Sequence, residues 1–217
     1  DLTKRLGDSG RRDQGRADVQ GRLTLREDLD RIHPLVAILP LGTNRPMYTH
    51  KVPCPLEGTL TIGAQSYTFS PERDLALVDI HKAYYPRKTF WRWATFAAVG
   101  TDGAIRGVNL THNVIQSDDR FNENALWDGN RLHLLGPARF EIPDDPRMPW
   151  QIRTLDDLAD LTFRPMGERN EDTNLLVARS WYRQPVGLFS GVVKDGRGGE
   201  HTFKDVWGVA EDHKVTW

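Results

Sequence analysis

Three side chains combine acid–base capacity with a setting that could tune it: Glu123, Asp79 and His81. Glu123 lies between Asn122 and Asn124 in "NENALWDG", close to Trp127. A carboxyl group in an aromatic-lined cavity has its charged form disfavoured. Its pKa rises, and it can donate a proton near neutral pH. Asp79 closes the apolar run of "LALVDIHKAYYP", with His81 two residues on. A plainer role competes at each place. Asn122, Glu123 and Asn124 can satisfy backbone groups where a strand begins, and Asp79 can bond backbone N–H groups or a nearby arginine. Residue chemistry alone leans toward this second role.

A ring-rich set accompanies the carboxylates. Tyr84, Tyr85, Trp91, Trp93 and Trp127, with Asn109 and Asn122, are the candidate ligand-binding residues; Trp181 and Trp207 extend the set. Large rings can line a pocket for an apolar or polyene ligand, or simply fill a core. Other chemistries find little support. The seven histidines form neither a His-Glu-x-x-His nor a His-x-His motif, so no metal site is expected. Ser190 in "FSGVV" lacks the glycine spacing and strand-to-helix context of a nucleophile elbow. The single cysteine, Cys54, between Pro53 and Pro55, reads as a loop or packing residue. Asn109-Leu110-Thr111 matches a glycosylation acceptor, which matters only in a secreted chain.

The elements that must position these residues read as strands. "TLTIGAQSYTF" (59–69) predicts a hairpin around Gly63-Ala64, and "LALVDI" (75–80) a short strand. "TFWRWATFAAVGTDGAIRGVNL" (89–110) predicts two strands joined at Thr101-Asp102-Gly103. "LWDGNRLHLLG" repeats that device at Asp128-Gly129, and residues 187–209 repeat it at Asp195 through Gly199. "NLLVARSWYRQ" (174–184) reads as one long strand. "LDDLADL" (155–161) could form a turn of helix, and little other helix is expected. In 91–99, Trp91, Trp93, Thr95, Ala97 and Val99 share one face; in 201–209, His201, Phe203, Asp205, Trp207 and Val209 do. Many strands and tight turns, without a βαβ rhythm, predict an all-β antiparallel barrel or sandwich. Gly187 and Gly191 around Phe189 suit a barrel interior. Residues 1–30, rich in charge and glycine, read as a flexible arm, and 31–217 as the β domain.

Several of these stretches together resemble one family, the domain of unknown function DUF2804. The resemblance rests on "YTHKVP" (48–53) followed by Gly58, on "LALVDIHKAYYPRKTFWRWA" (75–94), and on "DGAIRGVNL" (102–110). It continues through "NENALWDG" (122–129), "DLTFRP" (160–165), "GLFSGVV" (187–193) and "GVAEDHKVTW" (208–217). It covers roughly residues 35–217. It implies a lipocalin-like, calycin-type β-barrel, similar to a group that includes carotenoid hydratases and tocopherol cyclase. Members of that family begin well upstream, so the chain, which opens on Asp1, reads as the C-terminal part of a longer protein.

Two functional readings follow. One is a barrel that binds a hydrophobic small molecule, such as a lipid, an isoprenoid or a polyketide-like compound. The other is a cofactor-independent hydratase, isomerase or cyclase, with Glu123 as proton donor and Asp79 or His81 in support. A Trp-rich, sugar-binding sandwich is a third, weaker reading. No cofactor is expected. A net charge of −1 argues against general attraction to nucleic acid. No run approaches the ~18 apolar residues of a transmembrane span. A single cysteine suits a cytoplasmic setting.

Overall fold

The computed structural model describes residues 18–145, 147–175 and 177–217. Among them fourteen strands and no helix occur: β1 (Val19–Leu25), β2 (Leu35–Pro40), β3 (Pro46–Ile62), β4 (Gln65–Phe69), β5 (Leu75–Ala83), β6 (Lys88–Val99), β7 (Ile105–Asn113), β8 (Ala125–Asp128), β9 (Arg131–Leu134), β10 (Ala138–Glu141), β11 (Trp150–Thr154), β12 (Ala159–Leu175), β13 (Ala178–Lys194) and β14 (Glu200–Thr216). They form two antiparallel sheets. The smaller is organised on β3, whose first half pairs with β2 and β5 and whose second half pairs with β1 and β4. The larger runs β10-β11-β12-β13-β14-β6-β7-β8-β9.

The turn chemistry places most of these boundaries. Gly63, Gly103, Gly129 and Gly196 all adopt positive φ at the turns expected for them. Elsewhere the structure departs from the sequence-based expectation. The run 174–184 is not one strand: β12 ends at Leu175 and β13 begins at Ala178, so the chain reverses there without glycine or proline. "LDDLADL" is a tight turn leading into β12, with Asp157 at φ 57°. The arm expected over 1–30 falls mostly outside the described residues, and its described part carries β1.

The larger sheet curls until β10 approaches β7. One of its faces becomes an interior. Phe96 of β6, Leu110 of β7, Trp150 of β11, Phe163 of β12 and Phe189 of β13 pack there with their neighbours. Ring centroids lie 4.8 Å apart for Phe96–Phe189 and 4.5 Å apart for Phe163–Phe189, so this interior is filled by side chains. Gly208 is required at its wall: a Cβ there would stand 2.6 Å from the Phe96 Cβ and 2.8 Å from the Phe189 ring.

The smaller sheet lies against the opposite face of β6, β7 and β8. A second cluster joins Val52 and Cys54 of β3 to Ile105, Ala125 and Trp127. Burial raises the Cys54 thiol pKa to about 11, with Glu27 adding to the effect, so Cys54 is a packing residue as its surroundings suggested. The remaining space between the sheets, beside Trp91 and Trp93, is where the chemical residues gather.

Candidate functional site: a cleft between the two sheets

Register explains the convergence. Lys51 of β3 stands opposite Asp79 of β5, and Thr49 opposite His81. With period-two alternation these four side chains share one face and point at the larger sheet. Glu123 approaches that block from the segment entering β8. Thr49 Oγ1 donates to Glu123 Oε2 at 2.8 Å. Lys51 Nζ lies 2.8 Å from Asp79 Oδ2 and 3.6 Å from Glu123 Oε2. His81 Nε2 lies 3.4 Å from Glu123 Oε2 and 3.5 Å from Asp79 Oδ1. The other His81 nitrogen, Nδ1, meets the Tyr85 hydroxyl at 3.2 Å.

The expected rise in the Glu123 pKa is overturned. Burial does push it upward, but the Lys51 charge and then the His81 and Thr49 contacts outweigh burial and hold it at about 2. Glu123 is 2% exposed, and these contacts favour its ionised form rather than the protonated one that a donor needs. Its neighbours divide the work that the sequence assigned to all three. Asn122 Oδ1 accepts from the Asn124 amide, and Asn124 bridges the Thr111 amide and the Gly136 carbonyl. The asparagines tie down backbone; the glutamate faces the cleft.

The aromatic wall comes from the larger sheet. Trp93 presents its ring 4.9 Å from Lys51 Nζ and donates from Nε1 to Asn109 Oδ1 at 2.7 Å. Asn109 Nδ2 in turn donates to the Glu123 carbonyl at 2.6 Å, so one fully buried amide locks Trp93 and Glu123 together. The same burial leaves the Asn109 side chain no access for glycosylation. Tyr85 stacks on Trp91 with centroids 6.2 Å apart, and on Trp217 at 6.1 Å. Burial first, then Glu123 and Asp79, raises the Tyr85 hydroxyl pKa to about 12, keeping it neutral.

The cleft has a volume of about 360 Å³. Glu123, Asp79, His81, Tyr85, Trp91 and Trp93 all line it. Asn109 supports it from behind. Tyr84 instead points to solvent, Trp127 is buried in the neighbouring cluster, and Asn122 caps backbone. Sequence reasoning missed Lys51, Thr49, Thr111 and Glu211. Lys51, 1% exposed, was the most legible of them: a lysine inside an apolar strand needs a buried counter-charge. Among the described residues no group of three or more His, Cys, Asp or Glu is placed to hold a metal ion. Ser190 Oγ accepts from the Asp205 amide and serves the backbone. No helix of the described residues is long and apolar enough to cross a membrane.

The family model "Domain of unknown function (DUF2804)" matches residues 8–217. Neither a curated protein nor a solved structure matches the chain.

Proposed function

The chain belongs to the DUF2804 family, and from that premise we propose that it binds a small organic molecule of largely apolar body in the cleft between its sheets. The carrying observation is the pairing of a Tyr85–Trp91–Trp93 wall with a fixed polar wall in one cleft of about 360 Å³. That volume lies in the range of ligand pockets, and a few placed polar groups on an apolar lining are what orients a ligand. The interior of the curled sheet is filled with Phe96, Phe163, Phe189 and Trp150, which argues for the cleft as the site. The curl of the larger sheet supports a barrel-like type with a filled interior, and the ligand site lies outside that interior.

The test is titration with a neutral solvatochromic dye. One-to-one saturable emission is expected. Trp93→Ala should weaken it roughly tenfold or more, the scale of a central aromatic anchor. Unchanged affinity in Trp93→Ala would place the dye elsewhere and remove the cleft from the account.

A second reading, cofactor-independent hydratase, isomerase or cyclase chemistry, is favoured by one observation. The Tyr85 hydroxyl, His81 and the Glu123–Asp79 carboxylates form a continuous row. In that reading Tyr85, not Glu123, hands the proton to a substrate. His81 Nδ1 returns a proton to the tyrosinate oxygen and regains one from the proton that the substrate cation later loses, while Glu123 keeps the imidazole oriented.

A further inference from the structure

One side of the cleft has polar groups that the fold leaves unanswered. Glu211 of β14, Trp93 of β6 and Thr111 of β7 stand in direct cross-strand register, side by side on one face. Glu211 and Thr111 both line the cleft. Thr111 is 7% exposed and its Oγ1 has no hydrogen-bond partner. Glu211 is 8% exposed, and the His213 Nδ1 stands 3.7 Å from its Oε1, beyond hydrogen-bond reach. A buried polar atom is normally satisfied, so the unpaired Thr111 Oγ1 beside the Glu211 carboxylate points to a donor that comes from outside the chain.

The charge balance gives the sign of that donor. Three carboxylates line the cleft, Glu123, Asp79 and Glu211, against one lysine and one histidine. Lys51 is already held between Asp79 and Glu123 and has no spare charge for an anion. An anionic head would add a further negative charge beside Glu211. A cationic head would instead find a carboxylate, an unpaired hydroxyl and the rings of Trp91 and Trp93. Ring faces attract cations, as the Trp93 ring already does with Lys51 Nζ at 4.9 Å.

We propose that the cleft takes a ligand with an organic ammonium or related cationic donor head, with Glu211 as its counter-ion and Thr111 Oγ1 as an additional acceptor. The proposal rests on the reading of the cleft as a small-molecule site and deepens it. The apolar remainder of the ligand lies along Tyr85, Trp91 and Met47.

Three probes of one shape separate the possibilities: 4-phenylbutylammonium, 4-phenylbutanol and 4-phenylbutyrate, titrated calorimetrically into the whole chain at neutral pH. The ammonium should bind roughly tenfold or more tighter than the alcohol, and the carboxylate most weakly. Glu211→Gln should erase the preference for the ammonium over the alcohol. Binding of the alcohol or the carboxylate as tight as that of the ammonium would overturn the proposal and leave the cleft as a binding site. Absence of binding by all three would overturn both.

Discussion

Lys51→Met is expected to destabilise the protein by about 3–5 kcal/mol, the range for removing one partner of a buried ion pair. The side chain is 1% exposed, and its removal leaves Glu123 ionised between the sheets with only His81 and Thr49 to answer it. For a chain of this length the loss should lower Tm by roughly 6–20 °C. Adding Glu123→Gln to Lys51→Met should recover part of the loss, because the uncompensated charge is then gone. The pH dependence follows from the same balance. The Glu123 pKa falls from an ordinary 4.5 to about 2 in the folded protein. A depressed carboxylate pKa contributes stability that is present above about 4.5 and is lost as pH falls toward about 2. In Lys51→Met burial dominates, the glutamate is easier to protonate, and this loss diminishes. The stability gap between the two proteins should therefore narrow on acidification through that window. Denaturant unfolding at neutral and acid pH measures it; a gap that stays constant would show that Glu123 does not carry the charge.

Phe203→Ala and Trp207→Ala should differ sharply, although period two from sequence places both rings on one face of β14. Between Phe189 and Gly191 the β13–β14 register shifts, and Asp205 adopts φ 51°. This bulge rotates the strand between the two positions. Phe203 turns inward, its ring 4.8 Å from that of Phe96, while Trp207 is left 61% exposed. Phe203→Ala should cost about 3–5 kcal/mol, as for truncating a buried phenylalanine. Trp207→Ala should stay within about 0.5 kcal/mol, as for most surface changes. Equal losses would mean that the strand runs without the bulge.

The contrast marks what was legible in the residues. Tight turns were, because Asp-Gly and Gly-Ala pairs carry their own backbone preference at Gly63, Gly103 and Gly129. Alternation in β6 was legible as well, since Trp91 and Trp93 line the cleft while Ala94 and Phe96 face the interior. The reversal between Leu175 and Ala178 was not, because it uses no turn residue and is fixed by the long pairing of β12 with β13. At the site, Glu123, Asp79, His81 and three rings were singled out from local context. Their assembly depends on the β3–β5 register, which brings Lys51 beside Asp79 and Thr49 beside His81. No local pattern contains that pairing. The pKa shift expected for Glu123 is therefore opposite to the one found: the aromatic surroundings lie in the local sequence, whereas the lysine that lowers the pKa lies 72 positions away.

The indole N–H signals of the seven tryptophans test the central claim most directly. In a ¹⁵N-labelled sample titrated with 4-phenylbutanol or its ammonium analogue, the Trp91 and Trp93 signals should shift and saturate together. Those of Trp150, inside the curled sheet, and Trp127, in the neighbouring cluster, should stay in place. Movement of Trp150 with Trp91 and Trp93 unmoved would put the ligand in the sheet interior and contradict the account.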